Sequence, residues 1–130
     1  MAKPNVIADK SEEFAVRIIN LYKYLTNNQK EYVISKQIFR SGTSIGANVS
    51  ESRNAQSTSD FVSKLNIALK EADETFYWLR LLKRADYITK DQYESLSSDV
   101  NELISLLICI IQVSQVPNLP VLIDRFQRND

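Results

Sequence analysis

The sequence predicts an all-α protein, an antiparallel up-down-up-down four-helix bundle, on three observations. Turn punctuation is nearly absent, since 130 residues hold only two glycines and three prolines, and Pro117 and Pro120 both fall near the C-terminus. Apolar residues recur at three- and four-residue steps through four long stretches. The links between those stretches are short, which makes successive helices antiparallel neighbours. At 44% hydrophobic and 25% charged residues, the chain suits one bundle over residues 1–116, followed by an extended tail over 117–130 because Pro117 cannot continue a helix.

The first helix is expected at about residues 9–27. Asp9 or Ser11 can cap it, Glu12 and Glu13 sit in its first turn where the helix dipole favours anions, and Phe14, Ile18, Leu21, Tyr22 and Leu25 form its apolar stripe. The second is expected at about 32–55, with Val33, Ile34, Ile38, Ile45 and Val49 as apolar positions. It holds both glycines. Glycine inside a helix costs about 1 kcal/mol relative to alanine, so Gly42 and Gly46, four apart with Ser50 four further on, predict a ridge against which another helix packs closely.

The third helix is expected at about 59–85, opened by a Ser57-to-Asp60 variant of the capping box and continued by Phe61, Leu65, Ala68, Ala72, Phe76, Leu79 and Leu82. The fourth, at about 90–116, starts with a full Thr89-to-Gln92 capping box. From Leu103 onward it is apolar around nearly its whole circumference, more than one neighbouring face can bury. Either residues 116–126 fold back over it, or a second subunit covers it. On the second reading Leu103, Leu107, Ile110 and Ile111, with a face of the first or second helix, build the interface of a homo-oligomer.

Composition excludes several chemistries. The chain has no histidine, so Ser-His-Asp, Cys-His and zinc-histidine arrangements cannot form. Glu71-x-x-Glu74 approaches a di-iron pattern but has no second copy, and no glycine-rich phosphate loop is present. No catalytic residue, cofactor or metal is expected. Cys109, the only cysteine, lies among leucines and isoleucines and reads as a buried thiol in a reducing compartment. The N-terminal stretch lacks the apolar centre of a signal peptide, and residues 103–113 are short for a membrane span, so the expectation is a cytoplasmic protein without a membrane partner.

The remaining candidates lie on the second helix and its neighbour. Arg40, Asn48 and Glu51 read as solvated surface, as a polar network, or as contacts to a partner. A turn centred near Ser57 places Arg40 opposite Glu71 and Glu74, and Glu51 opposite Lys64, which gives the network reading named partners. Lys30, Lys36, Arg40 and Arg53 make this flank mildly basic, while Asp91, Glu94, Asp99 and Glu102 make the fourth helix acidic; complementary flanks suit head-to-tail association in a ring. The formal net charge is zero, which weighs against strong unaided nucleic-acid binding while leaving a local basic band open.

The run Gln37-Ile-Phe-Arg-Ser-Gly-Thr-Ser-Ile-Gly-Ala-Asn48-Val-Ser-Glu51 resembles the bacterial four-helix-bundle family related to the 23S rRNA intervening-sequence proteins. Asp60-Phe61, Leu65-Asn-Ile-Ala68, Glu71 and Glu74-Thr-x-x-Trp78-Leu79 extend the resemblance. It implies an open bundle assembled as a homopentameric ring, with a poorly defined function. A similar bundle serves diversity-generating retroelements as an accessory protein, binding nucleic acid and a reverse transcriptase through a basic surface; RNA, DNA or a nucleic-acid enzyme are therefore implied partners. The balanced charge departs from that pattern, and the tail lies outside the matched motifs.

Overall fold

A computed structural model describes residues 5–115, in which four helices follow in order: α1 Val6–Asn27, α2 Ile34–Ser52, α3 Thr58–Arg84 and α4 Lys90–Val113. The ends of these helices show how the local sequence fixes them. The α1 helix begins earlier than Asp9 because Asn5 caps it, its Oδ1 accepting from the Ala8 N–H at 3.2 Å. Ser11 is inside the helix and fully buried, donating to the Ala8 carbonyl. Ser57 accepts from the Asp60 N–H at 3.0 Å. Its reciprocal arm differs from a full capping box, since Asp60 accepts from the Gln56 N–H rather than from Ser57. At α4 both arms form, Gln92 N–H to Thr89 Oγ1 at 3.1 Å and Thr89 N–H to Gln92 Oε1 at 2.9 Å.

The α2 helix is shorter at both ends than its apolar pattern implies. Val33 offers no side-chain cap. Instead the Glu31 carboxylate reaches forward and accepts from the N–H groups of Val33, Ile34 and Ser35 at 2.7–3.1 Å, meeting three of the four donors that a helix start leaves unpaired. At the other end Arg53, Asn54 and Ala55 turn their N–H groups onto carbonyls three residues back.

The core runs the length of the bundle: Phe14, Ile18 and Leu25 from α1, Ile38, Ile45 and Val49 from α2, Leu65, Leu79 and Leu82 from α3, and Val100, Leu103 and Leu107 from α4 are essentially inaccessible. The glycine ridge faces α1. A Cβ on Gly42 would sit 2.6 Å from Ile18 Cγ1, and one on Gly46 would sit 3.2 Å from the Ser11 carbonyl oxygen. The α1–α4 edge carries the sparsest helix–helix contact. It is bridged by Arg17–Asp99 at 2.6 Å and Lys10–Glu102 at 3.0 Å, beside a groove of about 290 Å³ lined by Arg17, Asn20, Leu21, Tyr24, Gln92 and Leu96.

By length and composition α4 could cross a membrane. Its apolar face is taken by the bundle instead: Leu103, Leu107, Ile110 and Ile111 retain at most 9% exposure. This corrects their assignment to an oligomer interface. A helix apolar on every side presents several faces that could be buried, and here the bundle takes the face through these four, leaving Ile104 and Leu106 half-buried and Ile108 exposed. Cys109 is likewise exposed rather than buried, one step around the helix from the core face. The proposed covering segment, 116–126, lies outside the described residues.

Candidate partner-binding site

The polar network forms where α2 and α3 run side by side. Antiparallel pairing fixes the register, with the Thr75 hydroxyl donating to Ser41 Oγ at 2.9 Å in the fully buried seam. One residue along on α2, Arg40 turns outward. Its Nη1 donates to both Glu71 oxygens at 3.1 and 3.3 Å, and its Nη2 donates to Glu74. Further down the same seam Lys64 meets Glu51 at 3.4 Å.

Glu74 is shared. Trp78, one turn along α3, donates its indole N–H to Glu74 Oε2 at 3.0 Å. That hydrogen bond is the largest influence on the Glu74 carboxyl; burial opposes it and Arg40 reinforces it, and the carboxyl is held below the ordinary glutamate range. At Glu31 burial is the largest influence and would raise the pKa, but the backbone N–H groups of α2 outweigh it and the carboxyl is again held low. The Arg40 side chain remains half exposed, so the cluster is a braced surface feature rather than a buried ion pair. Trp78 stacks edge-on against Tyr77 with ring centroids 5.0 Å apart. Ile67, exposed by 40%, lies on the same side of α3 as Glu71, Glu74 and Trp78 by helical spacing.

The other sequence candidates separate from this cluster. Asn48 donates back to the Ser44 carbonyl at 2.8 Å on its own helix. Lys30 stands in the α1–α2 link with φ 54°, Lys36 is exposed in the first turn of α2, and Arg53 is at its far end. Seventeen residues on one helix separate Lys36 from Arg53, about 25 Å at 1.5 Å per residue. Because Arg40 between them is engaged by two carboxylates, these four do not make one basic band. Gly42 is buried against Ile18 of α1, and Gly46, half-buried, packs beside the Ser11 carbonyl. Among the described residues no three Cys, Asp or Glu side chains converge in the way a metal ion requires. The Trp78–Glu74 bond and the Glu31 cap carry no sequence signal beyond residue spacing.

The comparisons agree with these motifs. A profile described as 23S rRNA-intervening sequence protein matches residues 3–109, which is most of the chain. The chain belongs to that family. A member of the S23 ribosomal protein family from Bacteroides thetaiotaomicron VPI-5482, a protein of unknown function solved at 1.70 Å, is 66% identical, covering 83% of this chain and 96% of its own, with a TM-score of 0.83. No curated protein matches. The intervening-sequence match ends at residue 109, inside α4, so every residue of the Arg40–Glu71–Glu74–Trp78 cluster lies within the shared family region.

Proposed function

We propose that this chain acts without catalysis, as a helical bundle that binds partners, and that its first partner is another copy of itself. The carrying observation is the composition of the α2–α3 face. Arg40 and Trp78 are held in place by a common carboxylate while remaining partly open to solvent, and Ile67 is exposed on the same side of α3, about 16 Å from Trp78 along the helix axis. Arginine, tryptophan and tyrosine dominate the energetic centres of protein interfaces, and side chains already fixed in position lose little entropy on docking. The family resemblance supplies the number five; symmetry alone favours a dimer. The exposed Cys109 thiol suits a reducing compartment such as the cytoplasm.

Light scattering on the full chain, with Ile67→Asp as the probe, tests this reading. Ile67 is already solvent-exposed, so the aspartate should leave the monomer folded by circular dichroism while dissociating the assembly. A wild-type monomer at all concentrations would overturn the reading, and an Ile67→Asp protein that assembles as wild type would remove this face from the interface.

A further inference from the structure

The α1–α4 edge keeps apolar surface open at the end where the chain leaves α4. Lys10 and Arg17 mark the α4-facing flank of α1, and Asp99 and Glu102 the α1-facing flank of α4. Val6 stands one turn before Lys10, Leu106 one turn after Glu102, and Val113 two turns beyond Leu106, so helical spacing sets all three on this edge. Val6 is exposed by 53%, and Leu106 and Val113 are half-buried. The other neighbouring helix pairs pack more closely, so the gap belongs to this edge.

The sequence that follows α4 matches the patch in chemistry, direction and length. It lies beyond the family match, which ends at residue 109. Val116-Pro117-Asn118-Leu119 has proline and asparagine at the two central positions of a β-turn, the residues that reverse a chain. An apolar run, Leu119-Pro-Val-Leu-Ile123, comes next, and Arg125 stands two residues further on. Counting back from residue 116 at 1.5 Å per helical residue, Leu106 lies about 15 Å away and Glu102 about 21 Å away. Counting forward from Leu119 at 3.3 Å per extended residue, Ile123 is reached in about 13 Å and Arg125 in about 20 Å.

We propose that the segment after α4 turns back at Pro117-Asn118 and docks in extended form on the α1–α4 edge of its own chain. Leu119, Val121 and Ile123 share one face of an extended segment and cover Val6, Leu106 and Val113. Arg125, next on that face, comes level with the Glu102 carboxylate. The same segment of a neighbouring copy offers the same side chains, but the turn and the equality of the two lengths favour its own. Docking closes the loosest edge of the bundle and screens Cys109, which is exposed on the same side of α4 as Leu106 and Val113. The proposal is independent of self-association through the α2–α3 face.

Two measurements on the full-length protein test it: the rate of tryptic cleavage after Arg125 and the rate of Cys109 alkylation. In Val121→Asp/Ile123→Asp both should rise about fivefold or more, because each reagent reads the undocked fraction, while circular dichroism stays as wild type. Val6→Asp should free the segment from the other side of the contact. Ile108→Asp, on the opposite flank of α4, should leave both rates unchanged. A wild-type protein cut and alkylated as fast as the double variant would overturn the proposal, as would Ile108→Asp releasing the segment as Val6→Asp does. Light scattering covers the remaining case. The double variant should keep the wild-type mass, and its dissociation would show that the segment crosses to a neighbouring copy. Since Ile67→Asp tests assembly separately, either reading can fall while the other stands.

Discussion

Trp78 donates its indole N–H to Glu74 at 3.0 Å, so the only tryptophan of the chain reports directly on the carboxylate that also holds Arg40. The Glu74 carboxyl is depressed: it stays ionised in the folded protein at pH values where an unfolded glutamate takes up a proton. The stabilisation it gives is therefore complete above about pH 5 and is lost as pH falls through the folded value. Tryptophan emission should change in that acid window and not above it. In Glu74→Gln the transition should vanish, and an unchanged titration there would assign the signal to another group.

Arg40 is half exposed, so its two pairs belong to the weak surface regime more than to the buried one. Arg40→Ala should lower unfolding free energy by about 1 kcal/mol in urea. Arg84→Ala, exposed and without an ion pair among the described residues, should change it by less than about 0.5 kcal/mol. Equal effects would mean that the network contributes nothing to stability.

Glu31 makes a separate acid-sensitive contact. It caps α2 from outside the helix, and its carboxyl is depressed by three backbone donors acting against its burial. Glu31→Ala should cost about 1–2 kcal/mol at neutral pH. That cost should shrink as pH falls through the depressed value, since the wild type then loses the same interaction. Thermal melts of both proteins from pH 7 to pH 3 check this, and a cost independent of pH would show that the carboxylate charge is not what matters.

What the sequence discloses follows from how local each signal is. The Thr89–Gln92 box lies within one turn and is legible directly. The pairing of Arg40 with Glu71 and Glu74, and of Glu51 with Lys64, follows from counting outward from a turn at Ser57, because antiparallel helices share one rise per residue. Glu31 is hidden because its cap acts from beyond the position where capping residues are sought, and Asn5 because its neighbours Val6 and Ile7 precede the main apolar stripe. Leu103, Leu107, Ile110 and Ile111 mislead for a different reason: a helix apolar on all sides does not encode which side its own bundle will take. Cys109 follows the same logic, being placed outward by the rotation that buries Leu107 and Ile110.

The close approach of α1 and α2 rests on Gly42. Alanine there gains about 1 kcal/mol of helix propensity, but its Cβ would be 2.6 Å from Ile18 Cγ1 in a fully buried site. Overpacking costs about 1–3 kcal/mol, so Gly42→Ala should be destabilising on balance. With Ile18→Ala the clash is removed, and the double variant should be more stable than the sum of the two single effects predicts. Strict additivity would show that the close approach is not the cause.

The sparse α1–α4 edge should be where the bundle opens first. Arg17 spans it, donating to Asp99 Oδ2 at 2.6 Å and to Ser95 Oγ at 2.9 Å, whereas α2 and α3 are joined along their length by Ser41–Thr75, Arg40 and Lys64. Local opening follows sparse packing, and amide exchange reads it residue by residue. In Arg17→Ala, exchange at residues 92–100 of α4 and 14–21 of α1 should accelerate while the α2–α3 pair keeps wild-type protection. Raising salt on the wild type should move the same amides in the same direction, since the ion pairs across this edge join partly exposed charges that salt screens. Uniform acceleration across all four helices would mean instead that the bundle opens as a single unit, with no weak edge.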